Sequence, residues 1–229
     1  FGSVGQRVGL AGDLTGDGVT EILAAGPAAV VTYDGATGDK ISWIDLDGIA
    51  PLNVAGIDDI NGDGLRDVVV ADGVSARVFS RADGTVLWSY AGSLGGSIGW
   101  DMDVVPDLNA DGVQDLLVGE PQADVNGNGS GTVHVLSGAD GSIIQLIHGQ
   151  VAQETVGGAM AATADVDGDG KADVIIGQRT FASRGDTVGR VRVVSAVTGL
   201  DILVIVNNEP SFNFAAEVAG VGDVDNDGV

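Results

Sequence analysis

The chain contains no cysteine, so disulfide bonds and thiol chemistry are excluded. Lysine and arginine are scarce, numbering 10 together against 33 acidic residues. These basic residues form no stripe, which argues against a nucleic-acid partner. No apolar run approaches the roughly 18 residues that a membrane-spanning helix needs. The sequence therefore predicts neither nucleic-acid binding nor a membrane span.

Aromatic residues make up only 4% of the chain, and there are 5 prolines against 38 glycines. This balance suits many tight turns between short strands. A chain of 229 residues with 44% hydrophobic content is also long enough to bury a sizeable core. The composition therefore predicts a folded protein that is rich in turns.

The acidic residues follow a fixed pattern that occurs five times. It has an acid at place one, Thr, Asn or Asp at place three, Asp at place five, Gly at place six and an acid at place nine. About half of the 33 acids lie in these copies, which a solvated acidic surface would not explain. The copies begin at Asp13, Asp59, Asp107, Asp165 and Asp223, and the fifth stops at Val229 before place nine.

Such loops suit calcium, which takes six to eight oxygen ligands at about 2.3–2.6 Å. Oxygen-bearing side chains at places one, three and five of a tight loop can converge on one point. Glycine at place six allows the turn that directs the carbonyl of place seven inward, and the acid at place nine closes the site. Magnesium is disfavoured because it demands stricter octahedral geometry. The sequence therefore predicts four complete Ca²⁺ sites and a truncated fifth.

The EF-hand is the obvious alternative, but it requires a bidentate Glu at place twelve. Apolar residues occupy that place here, namely Ala24, Val70, Val118 and Ile176. The short runs that follow the loops, such as VVVAD and VIIGQ, are rich in β-branched residues and predict buried strands.

The repeat also predicts the architecture. Successive loops begin about 46 to 58 residues apart, and a second turn recurs in each period, at 34–39, 80–85, 137–142 and 195–200. Each period is interpreted as four strands, which in the third copy lie near 101–105, 115–118, 132–136 and 142–148. The two longer periods carry a nine-residue insertion before the third strand. Four-stranded antiparallel units that stack radially form a β-propeller, whereas a β-solenoid has shorter repeats and parallel strands.

Two stretches resemble FG-GAP repeats: FGSVGQRVGLAGDLTGDGVTEILAAGP at the start, and GWDMDVVPDLNADGVQDLLVGEP further on. FG-GAP repeats form the seven-bladed, calcium-binding propeller of integrin α subunits and many secreted bacterial proteins. Phe1-Gly2 and Gly26-Pro27 match the dipeptides that name the repeat, while Gly119-Glu120-Pro121 departs from Gly-Ala-Pro.

This resemblance implies calcium ligands at places one, three, five and nine, together with the main-chain carbonyl of place seven. In the numbering of this chain, the implied ligands are Asp13, Thr15, Asp17, Val19 and Glu21; Asp59, Asn61, Asp63, Leu65 and Asp67; Asp107, Asn109, Asp111, Val113 and Asp115; Asp165, Asp167, Asp169, Lys171 and Asp173; and Asp223, Asp225 and Asp227.

We expect an all-β fold, a partial β-propeller with four four-stranded blades and part of a fifth. The predicted blades span about 1–49, 50–95, 96–153, 154–210 and, incomplete, 211–229. Because a propeller with bare sheet edges is unfavourable, the chain is predicted to be part of a larger propeller. Further blades or another subunit would then contact residues 211–229 and the first blade.

No catalytic constellation is evident. The chain has no G-x-S-x-G motif or P-loop, and the acids outside the loops nominate no catalytic pair. His134 and His148 lie in predicted strands and are interpreted as structural. Trp43 and Trp88 fall on predicted fourth strands at equivalent places, which favours packing. Arg184-Gly185-Asp186 and the sequon Asn128-Gly129-Ser130 are interpreted as turn chemistry.

The leading hypothesis is a calcium-stabilised propeller that acts as a binding, adhesion or structural module and not as an enzyme. Weak calcium sites fill permanently only where calcium is millimolar, so we expect a secreted or cell-surface protein. The alternatives are the propeller domain of a secreted polysaccharide lyase, a lipase or a lectin. The ligand, a protein or a carbohydrate, is left open.

Overall fold

The computed structural model describes residues 5–183, 186–207 and 214–221, and these residues confirm the all-β prediction. They form sixteen strands in four sheets, and in each sheet four antiparallel strands are ordered as in the sequence. Across the described residues, no helix is long and apolar enough to cross a membrane.

Each sheet is one propeller blade. Blades 1 and 2 contain β1 (Arg7–Gly12), β2 (Glu21–Gly26), β3 (Ala29–Tyr33), β4 (Lys40–Asp45), β5 (Asn53–Ile57), β6 (Asp67–Ala71), β7 (Ser75–Phe79) and β8 (Val86–Ala91). Blades 3 and 4 contain β9 (Met102–Val105), β10 (Asp115–Glu120), β11 (Thr132–Leu136), β12 (Ile143–His148), β13 (Met160–Thr163), β14 (Asp173–Ser183), β15 (Asp186–Val194) and β16 (Asp201–Val206).

The predicted insertions take different forms in the two longer blades. In blade 3 the extra residues form a loop between β10 and β11. In blade 4 they lengthen a hairpin, because β14 and β15 stay paired as far as Ser183 and Asp186. The insertion therefore changes one blade at its loop and the other at its strands.

The blades are arranged around their first strands. β1 lies beside β5, β5 beside β9, and β9 beside β13. Between consecutive blades the facing side chains form three separate apolar clusters. Ile44 and Phe79 belong to the first cluster, Val78 and Leu116 to the second, and Val135 and Ile176 to the third. Each sheet buries an apolar face only against its neighbour, which is the packing of a propeller.

The expectation that Trp43 and Trp88 occupy equivalent places is wrong. Lys40 pairs with Tyr33 in blade 1, and Val86 pairs with Phe79 at the same place in blade 2. Two residues further along each fourth strand, Ser42 and not Trp43 therefore lies at the place of Trp88. Trp88 is buried and donates from its indole N–H to the Gly138 carbonyl in blade 3, at 2.8 Å. Trp43 lies on the opposite sheet face and is 44% exposed, with Lys40 Nζ 4.7 Å from its ring.

Blade 1 has one apolar face that no described residue covers. The residue five positions before each loop occupies the same place in every blade. That residue is 71% exposed at Val8, but only 2% at Val54, 9% at Met102 and 5% at Met160. The preceding blade therefore shields this place in blades 2, 3 and 4, whereas the same place in blade 1 is exposed.

Candidate metal centre

Each complete acidic loop connects the first strand of a blade to its second strand. Place one follows the first strand closely, and place nine is the first residue of the second strand, as Glu21, Asp67, Asp115 and Asp173 begin β2, β6, β10 and β14. These four carboxylates are at most 1% exposed. The sheet therefore fixes the two ends of the loop, and the residues between them curl around the buried acid.

The carboxylate at place one organises the loop backbone. In the fourth loop, Asp165 Oδ1 accepts hydrogen bonds from the N–H groups of Gly168 and Asp169 at 2.7 and 3.1 Å. Its Oδ2 accepts from Gly170 at 2.7 Å. Asp13, Asp59 and Asp107 make the corresponding bonds in their own loops. These bonds hold the loop closed through its own main chain.

Places four and six both require the left-handed backbone region. Place six is glycine in all four loops, with φ between 84° and 91°. Place four is also left-handed, and it is glycine in three loops but Ala110, with φ 67°, in the third. The requirement at place six was expected from the sequence, whereas the one at place four was not. A non-glycine residue in this region costs about 1–2 kcal/mol.

We therefore expect Ala110→Gly to raise the free energy of unfolding by about 0.5–1 kcal/mol, because glycine relieves the left-handed strain. The control is Ala82→Gly in an exposed turn where φ is not positive, and it should lower stability slightly. Urea denaturation of both variants measures the difference. A loss of stability in Ala110→Gly would contradict this account of the loop.

The carboxylate at place nine reaches back across the loop. Asp67, Asp115 and Asp173 each accept the N–H of place two with one oxygen, at 2.9, 2.6 and 2.7 Å. Glu21 makes the same contact with Leu14. The second oxygen of Asp67 and Asp115 accepts a further backbone N–H, from Arg81 and Gly138 respectively. Among the described residues, Asp173 Oδ1 is buried and has no hydrogen-bond partner.

Two of the four loops gather three carboxylates tightly. One oxygen each of Asp13, Asp17 and Glu21 lies within 4.8 Å of the others, and the same holds for Asp165, Asp167 and Asp173. In the third loop, Asp111 Oδ2 instead accepts hydrogen bonds from Asn109 and Ser137, at 2.8 and 2.9 Å. The first and fourth loops are therefore the ones already arranged as a cation cage.

The electrostatics of the loops favour a cation. Burial raises the pKa of Asp67, Asp115 and Asp173, and the charges of the acids at other places in the same loop raise it further. In contrast, hydrogen bonds from Gly18 and Gly16 lower the pKa of Asp13, which keeps that carboxylate ionised. A divalent ion at the centre of the loop would relieve this repulsion.

The donor set fits calcium. The available oxygen donors are carboxylates at places one, five and nine and the hydroxyl, amide or carboxylate at place three, which is the chemistry that Ca²⁺ prefers. The buried Asp173 Oδ1 supplies an oxygen that the protein does not otherwise satisfy. At place seven only the main-chain carbonyl would be a ligand, since the side chains there are Val19, Leu65, Val113 and Lys171.

The side chain at place seven of the fourth loop contacts the neighbouring loop. Lys171 Nζ donates to the main-chain carbonyl of Asp107 in the third loop, at 2.9 Å. Its side chain therefore points towards blade 3. Asp223, Asp225 and Asp227 of the fifth copy lie outside the described residues, as do Arg184 and Gly185 of the Arg-Gly-Asp tripeptide.

Sequence reasoning missed two buried polar clusters between blades. Between blades 2 and 3, His134 Nε2 lies 2.8 Å from Glu120 Oε2, and His134 Nδ1 lies 3.0 Å from Tyr90 Oη. Between blades 3 and 4, Arg190 Nη2 lies 3.1 Å from Glu154 Oε1, and both side chains are at most 7% exposed. The partners are 14 to 44 residues apart in sequence, so no local motif reveals them.

The four antiparallel sheets and their loops define a repeat protein of the β-propeller class. Two segments, residues 98–136 and 156–194, match the FG-GAP repeat, and each contains one acidic loop with the strands on either side. In these two segments the chain is therefore similar to FG-GAP repeats, as its sequence predicted.

Two integrin α chains are similar to this chain in sequence, and a solved structure is similar to it in fold. Integrin alpha-5 of Xenopus laevis is 29% identical over 132 residues, and integrin alpha-V of Gallus gallus is 30% identical over 131 residues. Each alignment covers 54% of this chain and 12% of the integrin. A structure of BBS1N in complex with ARL6DN, soaked with lead, has a TM-score of 0.53 at 15% identity, covering 90% of this chain and 69% of that chain. This last likeness concerns the fold alone.

Proposed function

We propose that the chain is a calcium-stabilised propeller segment that serves as a binding, adhesion or structural module. The observation that carries this proposal is the convergence of three carboxylates in the first and fourth loops, each around a buried acid at place nine. Calcium in these loops would tie the first strand of a blade to its second strand. The ion is then part of the fold and does not act on a substrate.

The ligand sets are those named from the sequence. In the four complete loops they comprise the side chains of places one, three, five and nine with the carbonyl of place seven. The third loop would need a side-chain rotation to complete the cage, because Asp111 is hydrogen-bonded to Asn109 and Ser137. The truncated fifth copy would contribute Asp223, Asp225 and Asp227.

An extracellular or cell-surface location follows from the same chemistry. Calcium sites of extracellular modules have dissociation constants of about 10⁻⁴–10⁻³ M, and such sites are filled only where calcium is millimolar. The similarity to two integrin α chains supports this location and a role in binding other molecules. The exposed face of blade 1, marked by Val8, is where further blades or another subunit would pack.

Calcium titration by calorimetry tests the proposal. We expect about four ions per chain, and Asp173→Asn should remove the site of the fourth loop because it neutralises the buried closing acid. Asp39→Asn is the matched control, since Asp39 is exposed and lies outside the loops. An unchanged stoichiometry and affinity in Asp173→Asn would count against the assigned ligands.

The same titration ranks the loops. The fourth loop offers four acids and the first loop three, with Thr15 at place three, so the fourth should bind calcium more tightly. Asp165→Asn and Asp13→Asn identify which binding phase belongs to which loop. If the phase lost in Asp13→Asn is the tighter one, charge count does not set the affinity.

A further inference from the structure

A cavity of about 470 Å³ lies between blades 2 and 3, away from the acidic loops. Its walls come from the end of β8 and the segment that follows it, from β10, β11 and β12, and from the loop between β10 and β11. Its size is within the roughly 300–1,000 Å³ of small-molecule sites. The polar side chains on its walls include Tyr90, Gln122, Asp124, His134 and His148.

One wall of the cavity is rigid and its polar groups are paired. Glu120 Oε1 accepts hydrogen bonds from the N–H and the hydroxyl of Ser93, and Glu120 Oε2 lies against His134. In the tautomer with the proton on Nε2, His134 donates to Glu120 and its Nδ1 accepts from the Tyr90 hydroxyl. Tyr90, which lines the cavity, then keeps a free acceptor lone pair on its Oη. Both oxygens of Glu120 are therefore already used.

Other polar atoms on the walls are free. His148 Nδ1 bonds to Thr132 Oγ1 at 3.0 Å, which fixes the ring and leaves Nε2 available. Asp124 Oδ1 accepts the Gly129 N–H at 2.7 Å, while its Oδ2 has no hydrogen-bond partner among the described residues. The Nε2 of Gln122 is likewise unpaired within the described chain. The walls of the cavity therefore offer a ligand both hydrogen-bond donors and hydrogen-bond acceptors.

The chemistry of the walls selects the kind of ligand. Among the residues that the structure describes, no Lys or Arg lines the cavity and two carboxylates do, so an anion is disfavoured. A guanidinium would find no free carboxylate fork, because only Asp124 Oδ2 remains. Burial lowers the pKa of His148, which favours its neutral form as a donor or acceptor. Neutral hydroxyl groups match these partners.

Comparison with the next interface shows why the space is open. Thr132 and Arg190 occupy equivalent places, because Thr132 pairs with Glu120 in blade 3 and Arg190 pairs with Gln178 in blade 4. Arg190 extends its guanidinium to Gln178 and Glu154, where Gln178 takes the place of Glu120. Thr132 is shorter and ends at His148. We propose that the resulting cavity binds a neutral carbohydrate, as a monosaccharide or the end of a sugar chain.

Saturation-transfer NMR tests whether the cavity binds a sugar, with glucose, galactose, mannose and N-acetylglucosamine as probes. Each sugar is present at about 10 mM, tenfold above an expected dissociation constant of about 1 mM. At least one of these sugars should receive saturation from the protein. Thr132→Arg, which copies blade 4, should weaken that binding at least tenfold, whereas Thr85→Arg on an exposed turn should leave it unchanged. Glucose 6-phosphate should bind more weakly than glucose.

Asp124→Asn gives a second test that does not depend on how Thr132→Arg folds, since Asp124 is exposed and the variant keeps the acceptor for Gly129. It too should weaken sugar binding. The proposal is overturned if none of the four sugars binds, if both cavity variants bind like the parent, or if the phosphorylated sugar binds best. Calcium calorimetry is a separate measurement, so failure of the calcium proposal would be distinguishable from failure of this one.

Discussion

Removing calcium is expected to lower the melting temperature by about 10–20 °C. A ligand present at 100 times its dissociation constant, about 10 mM calcium for a dissociation constant of about 10⁻⁴ M, stabilises the folded state by about 2.7 kcal/mol per site. Two such sites add up to about 5 kcal/mol, and for a chain of this size each kcal/mol shifts the melting temperature by about 2–4 °C. The first and fourth loops already gather their carboxylates, so these two sites dominate the estimate. Scanning calorimetry with calcium and with excess EGTA measures the shift.

Two controls make this result specific. Magnesium added after chelation should restore little of the stability, because Mg²⁺ demands near-octahedral geometry and releases its waters reluctantly. The double variant Asp13→Asn, Asp173→Asn should melt near the chelated parent and respond weakly to EGTA. An identical melting curve with and without chelator would rule out a stabilising role for calcium.

The second large effect is expected at the interface of blades 3 and 4. Glu154→Gln removes the carboxylate beside Arg190 without changing the shape of the side chain. Burial already lowers the pKa of Arg190, and the charge of Glu154 opposes this shift. Breaking a buried pair by removing one partner costs about 3–5 kcal/mol, because a buried charge loses its compensation. Denaturant unfolding should therefore show a loss of this size.

Arg77→Gln is the matched control for this experiment. Arg77 pairs with Asp72 at 3.1 Å, but the Arg77 side chain is 25% exposed. Asp72 also accepts the N–H groups of Val74 and Ser75. Loss of so accessible a pair should cost less than about 1 kcal/mol. If Glu154→Gln costs no more than Arg77→Gln, the Arg190 guanidinium is stabilised by other contacts.

The elements that the sequence predicts best are those set by short-range patterns. In blade 3 the expected strands near 101–105 and 132–136 are observed as Met102–Val105 and Thr132–Leu136. These strands can be predicted because apolar runs and turn glycines are local features of the sequence. The loop pattern also fixes the residue at which each second strand begins. The four-stranded blades follow from the same repeat.

What the sequence does not predict depends on contacts between repeats. Glu120 and His134 belong to one blade, but Tyr90 comes from the preceding one, and only packing brings the three together. The loop pattern also does not predict which loops gather their carboxylates. In the third loop, the Asp111 carboxylate accepts a hydrogen bond from Ser137, which lies 26 residues later in the sequence. Trp43 was misplaced because one residue of offset moves a side chain to the other sheet face.

The two interblade clusters make the order of the blades matter. Gly96 has no side chain, and a Cβ there would lie 2.1 Å from the Glu120 carboxylate, so this part of blade 3 is built around an acid on its own second strand. Blade 4 carries Gln178 instead and takes its acid from Glu154 in the preceding segment. A recombinant chain that joined blade 2 and its following segment directly to blade 4 would place Arg190 opposite Gly96, without a carboxylate. Although the repeats share one pattern, duplication or exchange of blades during evolution would need compensating changes at each junction.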